Sequence, residues 1–314
     1  MISTSIPSGT PAVAVLIPCF NEEIAIAKVV SEFMVTLPEA KIFVYDNNSS
    51  DKTIEAAGAA GAIVRQETRQ GKGNVVRRMF ADVEADIYIL VDGDGTYDAA
   101  ASRSLIDQFT TDRLDFLNAL RRSTAKDAYR TGHQFGNWLL TSLVQRIFGR
   151  QFNDMLSGYK VLSRRFVKSF PAMATGFEIE TELAVHALEL RMPCAEVETH
   201  YRERPPGSVS KLRTYSDGFK ILLLIARLVK DERPLSFFGA VGLLLIIMGF
   251  VASLPLFETY IQTGLVPRLP TAVLSVAFVL VGFLSIFAGL ILDMTTRMRQ
   301  EVKRLFYLSI PIEY

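Results

Sequence analysis

The chain has 314 residues, 49% of them hydrophobic, with 34 Lys+Arg against 33 Asp+Glu and a formal net charge of +1. That length allows about two domains of roughly 150 residues with a sizeable core, and the near-neutral balance gives no electrostatic reason to expect nucleic acid as a partner. Two distant cysteines, Cys19 and Cys194, and the scattered His133, His186 and His200 exclude a disulfide framework and a zinc-ligand spacing.

Residues 1–11 are rich in Ser, Thr and Pro, with no basic stretch leading into an apolar one, so no secretory signal is read there. A β-branched run over 13–17, closed by Pro18, predicts a first strand. Ile24, Ile26, Val29, Val30, Phe33 and Met34 then recur with helical spacing. A second strand, 41–45, is closed by Asp46-Asn47-Asn48-Ser49-Ser50-Asp51, and a helix over 53–60 and a strand over 62–64 follow. Gly71-Lys72-Gly73 opens a helix to about residue 81, and the strand 87–91 stops at Asp92-Gly93-Asp94. Strands alternating with helices at this spacing predict a mostly parallel, doubly wound α/β sheet. Further on, 116–119 and 196–201 read as strands, while 135–148 (apolar face about Trp138), 163–170 and 178–189 read as helices, before a polar loop over 202–213.

From Ser216 the character changes. Phe219, Ile221, Leu222, Leu224, Ile225 and Leu228 surround Lys220, Arg227 and Lys230, predicting an amphipathic helix over 216–234 suited to a membrane interface. Residues 235–257 and 271–293 are each apolar and long enough to cross ~30 Å of hydrocarbon, with a short hairpin, 258–270, between them. The opposing reading is a pair of buried core helices. Arg227, Lys230 and Arg233 precede the first span, Arg297, Arg299, Lys303 and Arg304 follow the second, and only Arg268 lies between. The positive-inside rule then puts the N-terminal domain and the tail 294–314 in the cytoplasm. The expectation is a multi-pass protein of the inner (plasma) membrane, with the bilayer as a partner. Homo-oligomer assembly through the spans stays open, although no G-x-x-x-G string occurs in them.

Asp92-Gly93-Asp94 has two readings: a solvated Asp-Gly turn, or two hard oxygen ligands at the carboxyl edge of a sheet, where open α/β folds bind ligands. Other strings fall at neighbouring strand ends. Glu22 opens the first helix, Asp46 to Asp51 offer groups suited to a uracil edge and ribose hydroxyls, and Lys72 sets an ammonium beside phosphate. No Walker A string and no complete G-x-G-x-x-G is present, which disfavours ATP hydrolysis and hydride transfer.

Taken together, V-x-I-P-x-F-N-E, D-N-N-S-S-D-x-T, Q-G-K-G-N and D-G-D-G-T-Y-D resemble the family 2 glycosyltransferases of GT-A fold, and within them the polyprenyl-phosphate (dolichol-phosphate mannose synthase-like) enzymes. The resemblance covers about residues 12–215. It implies a Rossmann-like GT-A catalytic domain followed by the interface helix and the two transmembrane helices. It also implies Mg²⁺ or Mn²⁺ at Asp92 and Asp94, a nucleotide sugar lined by Pro18, Phe20, Glu22, Tyr45, Asn47, Lys72 and Asp92, and catalytic roles for Asp94 and Asp154. Arg202, Arg204, Ser208 and Lys211 of the basic loop would hold the acceptor phosphate. The implied activity is inverting transfer of one sugar, from UDP-glucose or UDP-N-acetylglucosamine, to undecaprenyl or dolichyl phosphate, as in the making of cell-envelope glycan. Such a lipid phosphate, with a second pKa of about 6, is largely dianionic already, so Asp154 is read either as a base or as a positioning group. The competing functions are a processive polysaccharide synthase, whose Q-x-x-R-W string is lacking, and a non-catalytic lipid-binding scaffold.

Overall fold

The computed structural model describes residues 11–122, 141–142, 145, 152–205, 227 and 230–311. The helix expected over 135–148, most of the interfacial helix over 216–234, and Ser208 and Lys211 lie outside the described residues. By contacts the chain divides into Met1–Phe219 with Lys303–Tyr314, and Lys220–Val302.

In the first unit the apolar runs become strands β1 (Val13–Cys19), β2 (Lys41–Asp46), β3 (Ile63–Gln66) and β4 (Ile87–Leu90), linked by helices α1 (Ile26–Thr36), α2 (Thr53–Ala59) and α3 (Lys72–Asp82). Then follow α4 (Ser102–Thr111), β5 (Phe116–Arg122), β6 (Lys160–Ser163), α5 (Arg164–Ser169), α6 (Ile179–Glu189) and β7 (Cys194–His200). The seven strands form one sheet in the order β3-β2-β1-β4-β6-β5-β7. All neighbours are parallel except β6, which runs antiparallel to both β4 and β5. A continuously buried strand such as β4, every residue of it inside, is what a parallel sheet covered on both faces requires. Helix α1 buries Ile26, Val29, Val30 and Phe33 against this sheet, whereas Ile24 precedes the helix and is exposed.

His186 on α6 is buried between Phe166 and Phe170, and burial pushes its pKa down to about 3. The ring is thus neutral in the folded chain, while an unfolded histidine protonates near pH 6.5. A group whose folded pKa is depressed contributes stability above its unfolded pKa and loses it as pH falls toward the folded one. The expected result is a loss of stability of about 1.4 kcal/mol per pH unit between pH 6.5 and 3 from this residue. Denaturant titrations at several pH values would read it, and H186M should flatten the slope.

Residues 303–309, expected as part of a simple tail, are helical and belong to the first unit. Tyr307 donates its hydroxyl to Asp115 at 2.7 Å, and Lys303 pairs with Glu189 at 2.8 Å. Asp115 is fully buried and also accepts from Ser163 and, at two points, from Arg165, so its charge is matched inside the core.

The second unit contains α7 (Pro234–Thr263) and most of α8 (Leu269–Ser309), each long and apolar enough to cross a membrane by length and composition. The expected spans 235–257 and 271–293 lie inside them, but α7 continues to Thr263, so the connection is only 264–268. Large apolar side chains such as Leu254, Phe257, Leu284 and Phe287 are exposed, as suits helices solvated by lipid. The two helices touch backbone to backbone at Gly242 and Gly282, where a Cβ on either would collide with the other's carbonyl oxygen. Small residues at such a crossing allow the close approach that packs helices in lipid.

Candidate active site

The register explains why distant strings meet. Cys19 pairs with Asp46, Leu90 with Lys160, Lys160 with Asn118 and Asn118 with Glu196, so β1, β2, β4, β5 and β7 all end at one edge where β6 begins. The segments after β1, β2, β4 and β7, with Arg121 near the end of β5, therefore share a rim: Phe20–Glu22, Asn47–Asp51, Asp92–Asp94, Arg121 and Arg202–Arg204. Helix α3 presents its first residue, Lys72, after the positive-φ Gly71, over which the backbone carbonyl of Thr175 passes too closely for any side chain.

Each acid of Asp92-Gly93-Asp94 faces a cation. Lys72 Nζ bridges Asp92 and Glu180 at 2.5 Å each, with its side chain only 9% exposed. Burial works to lower the Lys72 pKa, but the paired carboxylates outweigh it and raise the value, so Lys72 stays an ammonium. Burial raises the Glu180 pKa, against the pull of Lys72. Asp92 lies so close over Gly158 that any Cβ there would strike its carboxylate. Asp94 is buried; its Oδ1 accepts from the Thr96 N–H at 3.1 Å and Thr96 Oγ1 at 2.6 Å, while its Oδ2 pairs with Arg204 at 2.7 Å.

Asp154 lies on the loop entering β6. It is held by Arg121 through both carboxylate oxygens, at 2.6 and 2.8 Å, and Arg121 also lies over the Tyr201 ring. Glu196 accepts the backbone N–H groups of Asn153 and Asp154, fixing this turn to β7. Beneath it Lys160 is fully buried, donating to Asn118 at 2.7 Å, and burial brings its pKa down to about 8.

The remaining expected site residues divide. Pro18 and Phe20 are half-buried and Glu22 is buried at the β1 end of the rim. Asn47 is a staple: its amide nitrogen donates to the carbonyls of Glu67 and Arg69, and its oxygen accepts from the Gly71 N–H. It shapes the lysine loop. Tyr45, expected to line the nucleotide, is fully buried, and its hydroxyl sits between Asp82 and Arg65 at the far end of α3. Arg202 is engaged with Asp98 and Glu32 and stands apart from the acid pair, unlike Arg204. Sequence reasoning missed Glu180 and Lys160. Asp46, which opens the string read from the sequence as suited to a uracil edge, has its Oδ1 buried with no hydrogen-bond partner among the described residues.

Comparison with known proteins shows the family. Residues 14–170 match the family described as Glycosyl transferase family 2. Glycosyltransferase AglJ of Haloferax volcanii is 31% identical over 296 residues, covering 94% of this chain and 97% of its own. An uncharacterised Shigella flexneri protein is 56% identical over 155 residues, 49% of this chain and 95% of that one. Among solved structures, Mycobacterium tuberculosis glucosyl-3-phosphoglycerate synthase in complex with Mn²⁺, UDP-glucose and glycerol 3-phosphate shares the fold. Its TM-score is 0.58 at 23% identity, over 70% of this chain and 79% of that one. This finding corrects the expected polyprenyl phosphate acceptor. That structure holds a small, water-soluble phosphate beside its UDP-glucose, against the undecaprenyl or dolichyl phosphate, and the envelope-glycan role, expected from the sequence. A GT-A core with its acid pair at the carboxyl edge, and a match over both the family region and nearly the whole of a relative, place this chain in glycosyl transferase family 2.

Proposed function

We propose that this protein transfers a glycosyl residue from a UDP-sugar to a small phosphate-bearing acceptor, with Mg²⁺ or Mn²⁺ held by Asp92 and Asp94. The observation that carries this reading is the pairing of two rim carboxylates with two cations, Lys72 and Arg204, around one edge of the sheet. The donor set suits such a cation. No cluster of three or more His, Cys, Asp or Glu occurs among the described residues, and Mg²⁺ or Mn²⁺ needs only one or two carboxylates when phosphate oxygens and water complete its shell. When bound, the cation would offset charge on the departing nucleoside diphosphate.

The protein's own groups supply position and field. The unpartnered buried oxygen of Asp46 is suited to the N–H of a uracil edge, beside Phe20 and Glu22. Lys72, kept charged by its two carboxylates, faces the donor phosphates. Asp154, tied at both oxygens to a guanidinium, is a poor proton acceptor and serves to aim Arg121 at the acceptor phosphate. An acceptor hydroxyl attacks the anomeric carbon as the bond to the nucleoside diphosphate breaks, and its proton passes to the departing diphosphate or to water. Positioning and electrostatics then provide most of the acceleration.

The proposal includes a membrane location: α7 and α8 cross the inner (plasma) membrane through 235–257 and 271–293, with the α/β unit in the cytoplasm. Support comes from their apolar exposed faces and from the basic residues outside the hairpin. The test is to incubate the full chain in detergent with Mn²⁺, a panel of UDP-sugars, and glycerol 3-phosphate or 3-phosphoglycerate. Acceptor-stimulated UDP release with a glycosylated phosphate product is expected. Transfer that persists in EDTA, or no UDP release with any donor, contradicts it.

A further inference from the structure

Building on the metal reading above, we propose that Arg204 and the divalent cation compete for one carboxylate oxygen, so that cation binding at Asp94 hands the Arg204 guanidinium over to phosphate. Asp94 Oδ1 is engaged by the Thr96 N–H and hydroxyl, which leaves Oδ2 as the oxygen directed out of the loop. Arg204 Nη2 sits on Oδ2 at 2.7 Å. A guanidinium and a divalent ion on the same oxygen repel each other at close range. The cation therefore takes Oδ2 only as the arginine withdraws.

The surroundings decide which partner moves. The Asp94 side chain is 6% exposed and fixed by Thr96, whereas that of Arg204 is 30% exposed. The chain leading to Arg204 is pinned just before it. The Arg202 N–H donates to the Thr96 carbonyl at 2.8 Å, and the Arg202 side chain holds Asp98 and Glu32. Arg204 thus exchanges partners without leaving the rim, and its planar fork fits a phosphate at two points. Lys72 differs: buried, and held by Glu180 as well as Asp92, it stays in place when Asp92 meets a cation. Beside the acid pair the site accordingly carries one fixed positive group, Lys72, and one exchangeable one, Arg204, and of these two it is Arg204 that reports that metal has arrived.

A reversal of sign tests this. Full-length wild type, R204A and R204K are titrated calorimetrically with MnCl₂ alone, then with UDP in saturating Mn²⁺. Losing the competitor should tighten Mn²⁺ binding by R204A about fivefold, the value of a partly exposed ion pair. Losing the phosphate partner should weaken UDP binding by the same variant about tenfold or more. R204K, which keeps the charge, should lie near wild type for Mn²⁺ and between the two for UDP. Unchanged or weaker Mn²⁺ binding by R204A would overturn the competition while leaving the metal site intact. Tighter Mn²⁺ binding with unchanged UDP affinity would overturn the hand-over. Failure of all three proteins to bind Mn²⁺, with or without UDP, would remove the metal reading and this proposal with it.

Discussion

Replacing Asp94 by alanine is expected to lower sugar transfer by about 10³-fold or more, the scale of removing a preorganised electrostatic group from a reaction centre, while the α/β unit stays folded. The carboxylate is buried at the end of β4, and Asp92, the other acid of the pair, is already engaged by Lys72. The structural cost is small by comparison. Arg204 is exposed enough to be hydrated, and the Thr96 N–H and hydroxyl lose one acceptor, a loss of about 1–3 kcal/mol. D94N separates the two effects, because its amide oxygen can still accept from Thr96 but binds a cation poorly. Steady-state UDP release and thermal melting, measured on both variants, should show activity lost in each and stability nearly restored in D94N. Substantial turnover by D94N would show that the acid pair is only a turn.

Lys72 should behave differently, because on the proposed reading it serves both folding and chemistry. K72M leaves Glu180, with a side chain only 9% exposed, without its cation, and stranding one partner of a buried pair costs about 3–5 kcal/mol. The raised pKa of Glu180, due first to burial, gives it an escape by protonation, so the destabilisation should be smaller at low pH. The double variant K72M/E180Q removes both charges and should regain most of the stability. It should remain nearly inactive, with a raised donor KM, because no ammonium is left to meet the diphosphate. Denaturation midpoints with donor KM and kcat for the two variants give the answer. Recovery of activity together with stability would reduce Lys72 to a structural role.

Legibility in the sequence follows the range of the interactions. The parallel half of the sheet could be read because β1, β2 and β4 are largely apolar runs closed by turn strings, and those strings fall at one edge as parallel topology demands. Strand β6 escaped notice: four residues opening on Lys160 carry no alternation, and its burial depends on insertion between β4 and β5. Helix α4 also went unread, although Leu105, Ile106 and Phe109 mark its buried face. Glu180 sits in a helix remote in sequence from the acid pair, so only the tertiary fold reveals its hold on Lys72. Arg202 and Arg204 look equivalent as letters, yet Glu32 and Asp98 engage one while Asp94 engages the other. Tyr45 and Asn47 belong to a functional string but turn inward, the one packing α3 and the other bracing the lysine loop. The acceptor was least legible. Basic residues next to apolar helices suggested a lipid phosphate, whereas a solved structure of the same fold holds glycerol 3-phosphate.

The central claim is a cation-dependent nucleotide site at the carboxyl edge of the sheet, and calorimetric titration of UDP into the full-length protein tests it most directly. With Mn²⁺ present, wild type should give saturable binding that EDTA abolishes, and D92N/D94N should give none. UDP binding of equal strength in EDTA, or undiminished in the double variant, would contradict the account.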